Sequence, residues 1–72
     1  MRVYILRFEA LGPLMRAFDR ALESAHVTSC MIESEQSQLR FIAPEKAADD
    51  IVEHIYLDGG LVWCSRHEVP AD

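Results

Sequence analysis

Residues 27–44 read VTSCMIESEQSQLRFIAP, and this stretch decides the fold. Two runs of β-forming residues, 27–33 and 39–43, flank the polar turn SEQS at 34–37. Strands joined by so short a polar turn lie side by side and run antiparallel. The stretch therefore predicts a β-hairpin that ends at Pro44, because proline has no backbone N–H to donate within a sheet.

One helical pattern precedes this hairpin and another follows it. Apolar residues recur at spacings of three and four in each, which is typical of one helix face. In the first pattern they are Leu11, Leu14, Met15, Phe18, Ala21, Leu22 and Ala25, and in the second Ala47, Ala48, Ile51, Val52, Ile55 and Tyr56. Pro13 suits a first helical turn, and Asp58-Gly59-Gly60 is predicted to end the second helix.

The first and last strands of the chain complete the pattern. They are predicted at Val3–Phe8 and at Leu61–Val69, and a short polar tail follows the last strand. The predicted order is β-α-β-β-α-β, in a single domain that spans residues 1–72. Right-handed crossovers turn this order into a ferredoxin-like α+β sandwich. We expect a four-stranded antiparallel sheet, with strand order 4-1-3-2, and both helices on one of its faces.

Strand alternation assigns residues to the two faces of this sheet. We expect the helices to cover Tyr4, Leu6, Phe8, Cys30, Ile32, Leu39, Phe41, Ala43, Leu61 and Trp63. The open face then carries Val3, Ile5, Arg7, Ser29, Met31, Arg40, Ile42, Val62, Cys64 and Arg66. So apolar an exposed face favours an interaction site.

Self-association is the simplest use of that face. We expect a homodimer whose interface includes Val3, Ile5, Met31, Ile42, Val62 and Cys64. The edge strands favour an oligomer independently, because VTSCMI and LVWCS contain no lysine or proline that would block pairing with another chain.

Two arginines suggest a ligand. Arg7 ends the first strand and Arg40 lies near the start of the antiparallel third strand, so the fold brings them close. Like charges at close range favour an anion between them, and guanidinium groups suit carboxylate or phosphate. The alternative is an ordinary ion pair with Glu33 or Glu9. The first helical turn, with Gly12 and Pro13, lies at the same end of the sheet and offers backbone amides to the same anion.

Charge and cysteine content exclude several classes of function. The formal net charge of −5 disfavours binding to nucleic acid and to acidic membrane surfaces. Cys30 and Cys64 are too few for a disulfide scaffold, and the first residues lack a signal-peptide pattern, which together predict a cytoplasmic protein. No apolar run approaches the length of a membrane span.

Neither a metal site nor a cofactor is predicted. His26-x3-Cys30 and Cys64-x2-His67 have the spacing of metal ligands, but the fold puts the two cysteines on opposite sheet edges, roughly 14 Å apart. No local motif forms a Ser-His-Asp or Cys-His group, so a non-enzymatic module is expected. Glu45, Asp49, Asp50 and Glu53 make the second helix acidic, either as a solvated face or as a docking surface for a basic protein.

Residues 9–14, EALGPL, together with the topology, resemble the ACT domains, small regulatory modules of similar length. In that family the first strand ends in an Asp-x-x-Gly-like turn before a helix, and the overlap here is Glu9, Leu11, Gly12 and Leu14. Gly12 here precedes Pro13, and the aspartate is lacking. The resemblance implies an amino-acid-sized effector bound near the first turn at a dimer interface.

The resulting prediction is a homodimeric regulatory or ligand-sensing module. It binds an amino acid or a small anionic metabolite through Arg7, Leu11, Gly12 and Arg40. The alternative is a protein-interaction adaptor that uses the open face or the acidic helix and takes no small ligand. An enzyme of the dimeric ferredoxin-like kind requires a buried polar cluster, which the pattern does not supply.

Overall fold

The structure is a computed structural model that describes residues 1–69, so the polar tail expected at 70–72 lies outside the described residues. Its elements are β1 (Arg2–Phe8), α1 (Leu11–Glu23), β2 (Ser29–Glu33), β3 (Gln38–Ala43), α2 (Glu45–Asp58) and β4 (Leu61–Glu68). One turn of 3₁₀ helix, Ser34–Gln36, joins β2 to β3. Neither α1 nor α2, within these residues, is long and apolar enough to cross a membrane.

The first helix is shorter than its apolar pattern suggests. Ala25 was expected on it, but α1 ends at Glu23, and Ser24 is already extended, with φ −82° and ψ 126°. The Ser24 amide donates to the carbonyl of Ala21, and the Ser24 hydroxyl accepts from the amide of His26. Serine favours such local hydrogen bonds over another helical turn, which explains the earlier end.

The sheet has the order β2-β3-β1-β4, and each neighbouring pair is antiparallel. This is the predicted 4-1-3-2 order viewed from the other edge, so the α+β sheet with two helices is confirmed. β1 and β3 are the central strands, and their register pairs Tyr4 with Phe41 and Leu6 with Leu39.

The core lies on one face of this sheet, beneath both helices. Tyr4 and Phe41 form its base, with ring centroids 5.3 Å apart and planes 11° from parallel. The other buried members of the cluster are Leu6, Phe8, Leu14, Ala17, Ala21, Leu39, Ala43, Ala48, Ile51 and Ile55. Because sheet residues of one parity and residues of both helices belong to the same cluster, the opposite sheet face is left uncovered by either helix.

A β-bulge changes the predicted faces of β4. Leu61 pairs with Phe8 and Trp63 pairs with Arg7, so Val62 is an extra residue opposite β1. One extra residue reverses the alternation beyond it. The predicted faces are therefore wrong at three positions: Trp63 lies on the open face, whereas Cys64 and Arg66 lie on the helix face, paired with Leu6 and Tyr4.

Gly60 lies so close to Pro13 that a larger residue does not fit at this position. Its φ is +88°, in the region that favours glycine, and a Cβ built on it would lie 2.4 Å from Cβ of Pro13. Its carbonyl also accepts a hydrogen bond from the amide of Glu9, at 2.9 Å. The start of α1 and the turn after α2 are therefore packed against each other at this point. Gly12, by contrast, has open space around a Cβ, with Arg16 the nearest neighbour at 3.8 Å.

Gly60→Ala is expected to lower the free energy of unfolding by about 2–3 kcal/mol, from the left-handed conformation and the contact with Pro13. Urea denaturation measures the loss. Gly12→Ala is the matched control, because it adds the same methyl group to open space and is expected to change stability by less than about 1 kcal/mol. Equal losses in the two variants would contradict the close packing at Gly60.

Candidate functional site

The open face of the sheet is the first candidate site. The strand registers arrange its side chains in rows that cross β2, β3, β1 and β4. The rows are Ser29, Ile42, Val3 and His67; then Met31, Arg40, Ile5 and Ser65; then Glu33, Gln38, Arg7 and Trp63. Apolar residues therefore occupy the centre of the first row, apolar and polar residues alternate along the second, and the third is polar except for Trp63 at its end.

The exposure of the apolar residues on this face rises from its central strands to its edge strands. Val3 is only 5% exposed although no helix covers it, because its neighbours in the sheet surround it. Ile5 and Ile42 are half-buried. Met31 is 60% exposed and Trp63 40% exposed, at opposite sides of the face. Large apolar side chains thus remain accessible on a face that a solvated sheet would fill with polar residues.

Arg7 and Arg40 both lie on the open face and are both exposed. Arg40 pairs with Ile5 and Arg7 with Gln38, so the arginines are diagonal neighbours, a relation that typically spaces residues about 7–8 Å apart. Within residues 1–69 neither forms an ion pair, and the expected salt bridges to Glu33 or Glu9 are not formed.

A shallow groove adjoins Arg40 on this face. It has a volume of about 260 Å³, and its lining includes Ile5, Met31, Glu33 and Gln38. This volume lies just below the range of about 300–1,000 Å³ that is typical of small-molecule pockets, so only a ligand of a few heavy atoms fits.

The other two predicted ligand residues lie elsewhere. Leu11 and Gly12 begin α1, which packs on the opposite face of the sheet from Arg7 and Arg40. None of the grooves described within residues 1–69 is lined both by one of these arginines and by the first turn of α1. Leu11 is 55% exposed, and the N-cap residue Ala10 supplies no side-chain hydrogen bond. The structure brings the arginines together and leaves the helix start apart from them.

A charged cluster at the start of α2 was not predicted. Glu45 accepts from Nη1 of Arg66 at 3.0 Å and lies 3.2 Å from Nε of Arg2, so it links β1 and β4 to the helix. Its place in the first turn also suits the positive end of the helix dipole. The sequence signal is an acidic residue directly after Pro44, but its arginine partners are 43 and 21 positions away and become visible only in the fold.

The hydroxyl of Tyr4 is the unsatisfied polar group of this region. Tyr4 is 2% exposed, and among the described residues its hydroxyl has no hydrogen-bond partner. Burial raises the pKa of Tyr4, and the nearby Arg66 guanidinium lowers it. Arg66 nevertheless does not form a hydrogen bond of good geometry with the Tyr4 hydroxyl. A buried hydroxyl without a partner destabilises the fold.

The cysteines lie on the two edge strands, Cys30 on β2 and Cys64 on β4, and both are free thiols. Partial burial raises the pKa of each, and for Cys64 the charge of Arg66 works against that rise. Within residues 1–69, no three side chains of the His, Cys, Asp and Glu types lie together as metal ligands do.

A wide depression of about 930 Å³ lies between α1 and α2. Its walls are mostly charged and polar, with Arg20, Glu23, Asp50 and His54 among them. None of the residues predicted to bind the anion or to form the dimer contributes to it, whereas Asp49, Asp50 and Glu53 of the acidic helix line it.

Comparison of the chain with protein-family models, with curated proteins and with solved structures gives no match.

Tyr4→Phe is expected to raise the free energy of unfolding by roughly 1 kcal/mol, because it removes the unpaired hydroxyl and keeps the ring that stacks on Phe41. Thermal and urea denaturation measure the change. Tyr56→Phe is the control, since Tyr56 is 69% exposed and loss of its hydroxyl is expected to be neutral. A destabilised Tyr4→Phe variant would show that the hydroxyl has a stabilising partner.

Proposed function

We propose that this chain is a non-enzymatic regulatory module of ferredoxin-like topology, which acts as a cytoplasmic homodimer and senses a small anionic ligand. The observation that carries the proposal is the sheet face left bare by both helices, with Val3, Ile5 and Ile42 at its centre. We expect an ACT-like organisation, in which paired domains bind an effector.

A second copy of the chain is the occupant that fits this face. The face is apolar where Val3, Ile5 and Ile42 lie on the central strands, and it carries the exposed side chains of Met31 and Trp63 at its two sides. A two-fold axis through the face would bring the apolar centres together.

Charge on the face also favours a two-fold partner. Arg7, Arg40 and Glu33 are unpaired with one another within residues 1–69. Burial of unpaired arginines would cost several kcal/mol. Across a two-fold axis, Glu33 of the second copy supplies a carboxylate, and an anionic ligand in the groove beside Arg40 supplies another negative charge.

The expected ligand is an amino acid or another small carboxylate or phosphate. Arg40 provides the anion contact in the groove, where Ile5 and Met31 provide apolar walls, and Arg7 lies diagonally beside Arg40 on the same face. Leu11 and Gly12 act at this site only if the second copy brings its first helical turn to the groove, because within one chain they lie on the other side of the sheet.

Met31→Glu is expected to convert the dimer into the 8.2 kDa monomer at micromolar concentration, because it places a charge in the apolar interface. Light scattering measures the mass. Leu57→Glu is the matched control, since Leu57 is 74% exposed on α2, away from the open face. A wild-type protein of monomer mass, or a Met31→Glu variant of dimer mass, would contradict the interface.

Thermal unfolding in the presence of inorganic phosphate, short dicarboxylates and single amino acids tests the ligand. At 100 times the dissociation constant a true ligand adds about 2.7 kcal/mol of stability, which raises Tm by several degrees. Arg40→Ala is expected to abolish the shift, whereas Arg20→Ala, the same change on the exposed surface of α1, keeps it. No shift with any compound, or equal losses in both variants, would contradict anion sensing but leave the dimer test standing.

A further inference from the structure

The bulge in β4 leaves a second groove on the helix side of the sheet. The groove lies between α2 and β4 and has a volume of about 670 Å³, within the range of small-molecule pockets. Its apolar walls are Val52, Tyr56 and Leu61, and Tyr4 contributes to its base. None of these residues takes part in the proposed dimer or anion site.

The charges around this groove favour a cation. Asp49 and Glu53 lie one helical turn apart on α2 and form no ion pair within residues 1–69. Arg66 also lines the groove, and Glu45 pairs with both Arg66 and Arg2, so that Asp49 and Glu53 leave a net charge of about −1 among these five groups. The net field in the groove is therefore negative, and such a field attracts a positively charged ligand.

The unpartnered hydroxyl of Tyr4 supplies an independent sign of a ligand. Tyr4 is 2% exposed and lines the groove; burial raises the pKa of its hydroxyl, the adjacent Arg66 guanidinium lowers it, and Asp49 raises it, and both of these residues also line the groove. The hydroxyl therefore lies at the base of the groove, beside Arg66. A hydroxyl oxygen accepts hydrogen bonds through its lone pairs, and here it is left without one by residues 1–69.

These features together match one chemical group, because a primary ammonium has three donors. We propose that the groove between α2 and β4 binds a small organic amine with an apolar body. The ammonium lies among the carboxylates of Asp49 and Glu53 and the hydroxyl oxygen of Tyr4. The apolar body packs on Val52 and Leu61, and the 69% exposed ring of Tyr56 adds an aromatic surface that attracts cations.

Titration calorimetry of the full chain with phenethylamine tests the proposal. The neutral and anionic analogues, 2-phenylethanol and 3-phenylpropanoate, have a similar apolar body and are expected to bind at least tenfold more weakly. Bound amine is also expected to slow alkylation of the exposed Cys64 thiol, which lines the groove, without slowing alkylation of Cys30 on the far edge. Equal affinity for the three compounds, or no protection of Cys64, would overturn the proposal.

Matched variants locate the contacts. Asp49→Asn and Glu53→Gln are each expected to weaken phenethylamine binding about tenfold, and Tyr4→Phe about fivefold with the fold intact. Asp50→Asn is the control, because Asp50 neighbours Asp49 on α2 but lines the other groove. An equal loss in Asp50→Asn, or no loss in Asp49→Asn and Tyr4→Phe, would overturn the site.

Tighter binding of a lysine peptide than of every small amine would also overturn it, in favour of a basic protein partner.

Discussion

The central position of β1 is the constraint on which the rest of the structure depends. Because β1 pairs with β3 along one edge and with β4 along the other, its backbone is hydrogen-bonded on both edges and its side chains project from the two faces of the sheet. Its alternating side chains are thereby divided: Tyr4, Leu6 and Phe8 enter the helix-covered core, and Val3 and Ile5 form the centre of the open face. The core and the open face therefore both depend on the alternation of side chains along β1.

The bulge at Val62 decides which side chains of β4 lie on the helix-covered face of the sheet and which lie on the open face. Without the extra residue, Cys64 and Arg66 would continue the open face; with it, they face α2 and border a groove there. Arg66 is thereby placed within reach of Glu45, and the start of α2 is tied to β4. The same irregularity puts Trp63 beside Arg7 on the open face, so one inserted residue shapes both candidate sites.

Much of the fold follows from periodicity. The hairpin at 27–44, the two helices and the strand order could be predicted because apolar spacing and turn residues act locally. The open face was largely predicted as well, since alternation holds along β1, β2 and β3. The prediction of faces failed in β4, because the sequence LVWCS gives no clear sign of a bulge. The prediction of the end of α1 also failed, because Ser24 ends the helix although the apolar pattern continues to Ala25.

The sequence by itself determined the element order, the α+β class and most of the core, because those depend on spacings of two to four residues. Only the tertiary structure decided which groups meet. Glu45 contacts Arg2 and Arg66, and Pro13 contacts Gly60, although these residues are far apart in the chain. The fold also buries the hydroxyl of Tyr4 without a hydrogen-bond partner. Such contacts depend on strand register and helix placement, and a shift of one residue reverses the face of every side chain beyond it.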